Sequence, residues 1–221
     1  METMETMKTM KTMKTMKTMK TIGTFEIESG TVVVSDPCYE DSRALKGIKK
    51  GTWCANVIYN DGRCAVLVAY HKNHPVKNIY DNFIAEHFNV GVDSGQAGIF
   101  DSKYFRDDDV VKDVKRIGEE SDQICTDESW YSVCCDRTLQ KIGAGVIPFG
   151  CVSSSGYGDG VYECSTVKTN DEITAIKIDF GVFDEDEEND DDDDDDDWDY
   201  DDDYDDDDDD DENDWSDEND E

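Results

Sequence analysis

The sequence predicts an α+β domain dominated by antiparallel β-sheet, with one or two helices, between two disordered termini. Three observations predict this class. Short apolar stretches recur through the middle of the chain, and turn-forming Gly, Asp, Asn and Pro residues separate them. Two stretches instead have helical features, one of them the three-and-four apolar spacing of an amphipathic helix. Both ends of the chain have biased compositions that cannot supply a hydrophobic core.

The N-terminal segment, residues 1–22, is a repeat rich in Met, Thr and Lys that contains all seven methionines. A three-residue period drifts around a helix, so the repeat forms no lasting apolar face. We therefore expect 1–22 to be disordered and the folded domain to span 23–183. The repeat lacks the continuous apolar stretch of a signal peptide, and the chain has no apolar run of about 18 residues. These features predict an intracellular protein, cytoplasmic or nuclear, with no membrane partner.

The C-terminal segment, residues 184–221, has 30 acidic residues in 38 positions and no Lys or Arg. Because the whole chain has a net charge of −36, residues 1–183 retain 27 acidic and 21 basic residues, a net charge of only −6. Repulsion among the carboxylates predicts a disordered, extended tail. Its field opposes nucleic acid and favours basic proteins as partners, although the tail is also suited to keeping the domain in solution.

The eight cysteines are expected to be free thiols, because the sequence has no secretory signal and the cytosol is reducing. None of the spacings is Cys-x-x-Cys, the pair that a zinc knuckle or a thioredoxin-like site uses.

The first strands are predicted in FEIESGTVVVSDPCY and in the hairpin TWCANVIYNDGRCAVLVAY. In the hairpin, Asp61–Gly62 suits the positive φ angles of a two-residue type I′ turn. Pairing outward from that turn places one apolar face against the core. The expected pairs are Tyr59–Cys64, Val57–Val66, Ala55–Val68 and the aromatic pair Trp53–Tyr70.

Helices are predicted in HPVKNIYDNFIAEHF, where Pro75 suits a first turn, and near DDDVVKDVKRIG. The first has apolar residues at intervals of three and four, and the second has acidic residues before basic ones. SWYSVCC, AGVIPFGCV, VYECSTV and ITAIKIDFGVF then complete the set of predicted strands. In the last of these, apolar residues alternate with polar residues or Gly, as in a strand covered on one side.

Two glycine-rich loops are the candidate sites. In VGVDSGQAGIFD, a Ser94–Gly95 hairpin turn would pair Val92 with Ala97 and Val90 with Ile99. Asp93 and Asp101 then fall on opposite faces, where they cannot share a metal ion or act as an acid–base pair. Bare glycine backbone on one face indicates close packing or the approach of a ligand. The residues of this loop are Asp93, Ser94, Gly95 and Gln96.

The second loop is SSSGYGDG, with Ser155, Gly156, Gly158 and Asp159. A predicted strand follows it, whereas a phosphate-binding loop requires a helix, and the Gly-x-Ser-x-Gly spacing of a nucleophile elbow is absent. Calcium would need further oxygen ligands from elsewhere. His71 and His74 precede the predicted helix and His87 lies on its apolar face. We therefore expect no catalytic set, no metal and no cofactor.

The chain resembles a family known only as a domain of unknown function, family 4241, which is a β-rich module. The resemblance extends from about Phe25 to Phe183 and includes SGTVVVSDPCY, VGVDSGQAGIFD, SSSGYGDGVY and the closing IDFGV. It implies a β-rich fold. Because the activity of the family is unassigned, the resemblance implies no catalytic residue, and both termini lie outside it.

Three hypotheses of function follow. The first is a non-enzymatic binding or scaffolding domain that presents the two loops to a partner. The second is a hydrolase-like enzyme whose site joins Asp93 or Asp159 with Cys38 or a histidine. The third is a binder of basic proteins through residues 184–221. The sequence leaves the oligomeric state undetermined.

Overall fold

The computed structural model describes residues 18–40, 42–74, 83–117 and 129–182. In these ranges the chain is mostly antiparallel β-sheet with a single α-helix, which confirms the predicted fold class. Their strands are β1 (Thr18–Ile27), β2 (Thr31–Ser35), β3 (Ala44–Lys46), β4 (Gly51–Asn60), β5 (Arg63–His71), β6 (Ile84–Val92), β7 (Gln96–Asp101), β8 (Ala144–Ile147), β9 (Gly150–Ser154), β10 (Gly160–Thr169) and β11 (Glu172–Asp179). The helix α1 spans Trp130–Thr138, and a 3₁₀ turn spans Asp108–Val111.

The strands form two sheets. The first has six strands in the order β1-β4-β5-β11-β10-β6, and the second has five in the order β3-β2-β7-β9-β8. Between the sheets lies the main core, which includes Trp53, Val57, Leu67, Ile99 and Ile176. A smaller core lies where α1 packs on the five-stranded sheet, around Phe100 and Trp130. The rings of these two residues meet edge to face at 4.8 Å between centroids.

The hairpin turn at Asp61–Gly62 is confirmed, but the register beyond it differs from the expected one. Both turn residues have positive φ, +47° and +79°, and Tyr59 opposes Cys64 as expected. Ala65 is then an extra residue in β5, which shifts every later pair by one. Because β5 is buried from Cys64 to Ala69, alternation along this strand cannot fix its register. The observed pairs are Ile58–Val66, Val57–Leu67, Ala55–Ala69 and Trp53–His71.

The prediction of a helix beginning near Pro75 is wrong for the second half of that segment. Residues Ile84–Phe88 belong to β6, which pairs with β10, while 75–82 lie outside the described residues. Phe88, Val90 and Val92 alternate in the sequence, as in a strand with one covered face. The apolar spacing was therefore compatible with both structures, and pairing with a strand distant in the sequence decided between them.

The next two expectations also need correction. The helix expected near 107–118 is only the 3₁₀ turn after Asp107, whose side chain accepts a hydrogen bond from the Asp109 amide. The strand expected in SWYSVCC is helix α1, which begins after Ser129, whose side chain accepts a hydrogen bond from the Ser132 amide. Because apolar residues lie on both sides of α1, the sequence of this segment shows no helical spacing of apolar positions. Within the described ranges, no helix has both the length and the apolar composition needed to cross a membrane.

The expected hairpin at Ser94–Gly95 is wrong, because β6 and β7 belong to different sheets. Val92 pairs with Gly160, and Ala97 pairs with Ser153, so residues 93–95 cross from one layer to the other. All six residues of β7 are buried, since this strand lies between β2 and β9 and has a layer on each side. A local turn pattern cannot predict that β6 pairs with β10 and β7 with β9.

The N-terminal strand begins earlier than the sequence indicates. Thr18, Met19, Lys20 and Thr21 pair with β4, so the end of the repeat 1–22 is part of the six-stranded sheet. An edge strand of this kind needs only one covered side, which a Met- and Thr-rich sequence can supply once a partner strand is present.

Candidate functional site

The two glycine-rich loops meet at one end of the molecule. The Gly95 amide donates a hydrogen bond to Asp159 Oδ1 at 3.1 Å, and the Ser155 amide donates to the Gly95 carbonyl at 3.0 Å. This contact follows from the topology, because β7 and β9 are antiparallel neighbours with Gln96 opposite Ser154. The loop before β7 and the loop after β9 therefore share one edge of the sheet.

The same topology places two carboxylates opposite each other. Val92–Gly160 is the last pair between β6 and β10. In an antiparallel ladder the residues just beyond this pair, Asp93 and Asp159, leave their strands on the same side. Both side chains are exposed. Asp101 lies elsewhere: it is buried, and its carboxylate accepts hydrogen bonds from the amides of Glu28, Ser29 and Lys103.

Asp36 fixes the position of the first loop, and it is not among the site residues that the sequence predicts. Its fully buried carboxylate accepts four hydrogen bonds, from the amides of Cys38, Asp93 and Ser94 and from the Ser94 hydroxyl. The donor–acceptor distances lie between 2.6 and 2.9 Å. An aspartate before Pro37 at the end of an apolar strand suits a side chain that caps nearby amides, and this was the available signal.

Cys38 and Tyr39 complete the surroundings of Asp93. Burial and the neighbouring Asp36 raise the pKa of the Cys38 thiol to about 11. A hydrogen bond to Asp93, followed by partial burial, raises the pKa of Tyr39 to about 12. Both groups are therefore protonated at neutral pH. A protonated thiol is a poor nucleophile, so the environment of Cys38 does not activate it.

Gln96 points away from the loop surface and links the turn to helix α1. Its Nε2 donates to Cys135 Sγ at 3.4 Å, and the Thr138 hydroxyl donates to its Oε1 at 3.0 Å. Gln96 is 5% exposed, so its side chain is buried between the turn and helix α1.

The second loop is held by its own hydrogen bonds and packs closely on the domain. The Ser155 and Tyr162 hydroxyls both donate to the Gly158 carbonyl, each at 2.7 Å. Gly156 has a φ of +66°, and a Cβ at this position would lie 2.7 Å from the Val182 side chain. Tyr157 is exposed, as Asp159 is, and the centroid of its ring lies 4.8 Å from the Arg63 guanidinium.

A shallow depression of about 350 Å³ adjoins this loop on the surface of the six-stranded sheet. Glu163 and Asp179 oppose each other across β10 and β11 and contribute carboxylates to its wall. Lys177 Nζ lies 3.3 Å from Asp179 Oδ2. The lining residues are Val161, Tyr162, Glu163, Asp179, Phe180 and Gly181.

His71 and His74 lie at the opposite end of the molecule. His71 Nδ1 accepts a hydrogen bond from the Asn73 amide, and His74 Nδ1 lies 2.9 Å from the Thr174 hydroxyl. The side chain of His87 is outside the described residues. The structure thus brings Asp93 together with Cys38 and with the loop of Asp159, but it places neither carboxylate beside His71 or His74. Among the described residues, no group of three or more His, Cys, Asp and Glu side chains is arranged to hold a metal ion. The seven cysteines described are free thiols.

A family model matches residues 25–178, a span that contains both loops, Asp36 and every strand from β2 to β10. That family is described as Protein of unknown function (DUF4241). No curated protein and no solved structure matches the chain. The match covers more than two thirds of the sequence, and we conclude that the chain belongs to the DUF4241 family.

Proposed function

We propose that this protein is a non-enzymatic binding domain that presents the two joined loops to a positively charged segment of a partner protein. The observation that carries this proposal is the hydrogen-bonded junction of Gly95 with Asp159 and Ser155. It fixes the positions of exposed side chains without leaving a reactive group between them. We call the surface formed by Asp93, Tyr157, Asp159, Glu163 and Asp179 the loop face.

The chemistry of the loop face supports a cationic partner. Four of its five side chains are carboxylates, and the fifth is an aromatic ring that already lies beside a guanidinium. Carboxylates attract Lys and Arg at long range, and aromatic rings bind the same cations at contact. The nearby cations Arg63 and Lys177 only partly balance this charge.

The polar groups inside the loops support binding over catalysis. The Asp36 carboxylate and the Ser155 hydroxyl are occupied by hydrogen bonds within the loops, and the Cys38 thiol is protonated. A hydrolytic site needs a nucleophile with a base in contact. The Ser94 hydroxyl does contact the Asp36 carboxylate, but this carboxylate also accepts hydrogen bonds from three backbone amides, which weaken it as a base. The alternative of a hydrolase around Asp93 and Asp159 is therefore less well supported than binding.

A second candidate function is binding of basic proteins through residues 184–221. The observation that favours it is the charge of this segment, 30 acidic residues in 38 positions. Such a segment attracts polycations without a defined surface, whereas the loop face would require particular residues.

One experiment tests both candidates. The probe is a fluorescent peptide of about twelve residues with alternating Lys and Gly, and binding to the full chain is followed by anisotropy at about 0.15 M salt. The loop variant carries Asp93→Asn and Tyr157→Ala, and its matched control carries Asp113→Asn, at an exposed acid outside the loops. A third variant replaces the tail aspartates by Asn and keeps the length of the tail.

If the loop face is the site, the loop variant weakens binding by roughly tenfold, as loss of a charge contact and an aromatic contact implies, while the control changes it less than twofold. If the tail is the site, only the variant with the neutral tail loses binding. Equal affinity of the loop variant and its control, both measured in chains that also carry the neutral tail, would contradict the loop proposal. Hydrolysis of a p-nitrophenyl ester by the purified protein that disappears in Ser94→Ala would contradict the non-enzymatic proposal.

A further inference from the structure

The basic residues of the domain are unevenly distributed along the sequence. Between Ser42 and Tyr80 the chain has seven basic residues and one acidic residue, Asp61, although the chain as a whole is strongly acidic. The basic residues of this stretch are Arg43, Lys46, Lys49, Lys50, Arg63, Lys72 and Lys77.

The fold collects most of these lysines at one end of the molecule. The beginnings of β4 and β11 and the ends of β5 and β10 all lie at this end, because neighbouring strands in the sheet are antiparallel. The Lys49 amide donates to the Ile173 carbonyl at 2.9 Å, and Lys168 is paired with Ile173. Lys72 donates through its backbone amide to the Thr52 carbonyl at 3.0 Å.

Lys46 and Lys50 join this group through the start of β2, whereas Lys77 lies outside the described residues. Lys46 pairs with Thr31, and the side chain of Lys50 passes beside Gly30. Lys46, Lys50, Lys72 and Lys168 are exposed, and the Lys49 side chain is 32% exposed. We call these five residues the basic end.

Three exposed carboxylates at this end balance the five lysines only in part: Glu26, which lies opposite Thr52 across β1 and β4, Asp171 and Glu172. Glu172 forms an ion pair with Lys49 at 2.9 Å, and Asp171 is exposed in the same turn. Glu28 lies in the turn between β1 and β2, close to Lys50 in the chain fold, but its carboxylate contacts Lys103 and Tyr104. Four exposed lysines therefore remain without an ion pair among the contacts of the described residues.

We propose that the basic end is a second interaction surface, which binds an acidic segment of a partner protein. The local electrostatic field explains how a protein with a negative net charge can attract an acidic segment. Charges in water interact over about 8 Å at physiological salt, so a short acidic segment at the basic end experiences these lysines more strongly than the carboxylates at the opposite end of the domain. The surface lies at the end of the molecule opposite to the loop face, so the domain would join two partners of opposite charge.

The observations favour an acidic peptide over nucleic acid. Single-stranded nucleic acids bind through exposed aromatic rings as well as phosphate contacts. At the basic end Trp53 is fully buried, with its indole donating to the Lys49 carbonyl, and Tyr70 is only partly exposed.

The test compares two variants of the full chain that lose the same charge. The first replaces Lys46, Lys50, Lys72 and Lys168 by Gln. The control replaces Lys20, Lys112, Lys115 and Lys141 by Gln, four exposed lysines outside the basic end. The probes are a fluorescent peptide of about twelve glutamates and a fluorescent single-stranded oligonucleotide of about twelve nucleotides, each titrated at 0.05 and 0.15 M salt.

We expect the first variant to bind the glutamate peptide at least about tenfold more weakly than the wild type, since four exposed charge contacts are lost. The control variant should change its affinity less than twofold, and higher salt should weaken binding of the wild type. Thermal melts verify that both variants remain folded. Equal losses in the two variants, absence of peptide binding by the wild type, or tighter binding of the oligonucleotide than of the peptide would each overturn the proposal.

Discussion

At the scale of single residues, two buried aspartates organise the ends of the sheets. Asp36 holds the loop between β6 and β7, and Asp101 holds the turn between β1 and β2 by accepting hydrogen bonds from the amides of Glu28 and Ser29. Burial opposes ionisation of Asp101, but the hydrogen bonds outweigh it and lower the pKa of this carboxyl. Each aspartate therefore acts as a fixed acceptor for backbone amides, and neither is available as a reactive group.

Replacement of Asp36 by Ala should destabilise the protein by about 3 kcal/mol, because three backbone amides lose a charged acceptor in a buried place. Urea unfolding followed by tryptophan fluorescence measures this difference. Asp93→Ala is the matched control, since Asp93 belongs to the same loop and is exposed; it should cost about 0.5 kcal/mol. Similar losses in the two variants would contradict the role given to Asp36.

The stability of the protein should fall as the pH decreases from 7.5 to 5.5, because of His71 and His74. Burial lowers the pKa of both residues below the ordinary 6.5, and His71 lowers that of His74 further. A histidine with a lowered folded pKa binds protons more readily when unfolded. Its contribution to stability is therefore complete above the unfolded pKa near 6.5 and is lost as the pH falls toward the folded pKa.

Protonation of His71 would also remove the acceptor of the Asn73 amide. Urea midpoints at pH 7.5, 6.5 and 5.5 test this prediction. The variant His71→Gln, which cannot titrate, should show a smaller decrease over the same range. A midpoint that rises on acidification, or a decrease of the same size in the variant, would show that these histidines do not control the response.

At the scale of elements, glycine allows strands to pack closely in the five-stranded sheet. Gly98 lies in β7, where a Cβ would be 2.1 Å from Cζ of Phe100 and 2.6 Å from the Cys151 carbonyl oxygen. Gly91 lies in β6, where a Cβ would be 3.6 Å from the Tyr39 hydroxyl. The absence of a side chain at Gly98 thus reflects close packing. At Gly91 an added Cβ would lie at an ordinary contact distance from Tyr39.

Gly98→Ala should therefore destabilise the domain by about 2–3 kcal/mol, the cost of overpacking a buried site. Gly91→Ala should change the free energy of unfolding by less than about 1 kcal/mol, since neither contact distance nor φ opposes it. Urea unfolding of the two variants makes the comparison. The packing argument fails if Gly98→Ala is as stable as Gly91→Ala.

At the scale of the whole molecule, the domain has two ends of different chemistry. The loop face carries carboxylates and Tyr157, and the opposite end carries five lysines beside the buried histidines. This arrangement follows from strand direction, because antiparallel neighbours alternate which end of the sheet receives their turns. A scaffolding role would use both ends, and the two proposed binding experiments address them separately by variants at distant positions.

Much of the architecture could be predicted from the sequence. The strand-rich fold class, the Asp61–Gly62 turn and the two candidate loops all depend on local signals: alternation, turn residues and charge. These signals act within a few residues, so the chain itself carries them. The family membership of residues 25–178 is carried in the same way, by the order of short motifs.

The tertiary structure alone decided which partner each segment has. Ile84–Phe88 had a spacing compatible with a helix, and only pairing with β10 makes it a strand; SWYSVCC is apolar on both sides, and only packing against the five-stranded sheet makes it a helix. The same is true of the site, where Asp36 meets Ser94 across 58 residues and Gly95 meets Asp159 across 64. Contacts of this kind depend on the free energy of burying whole layers together, which no local pattern in the chain expresses.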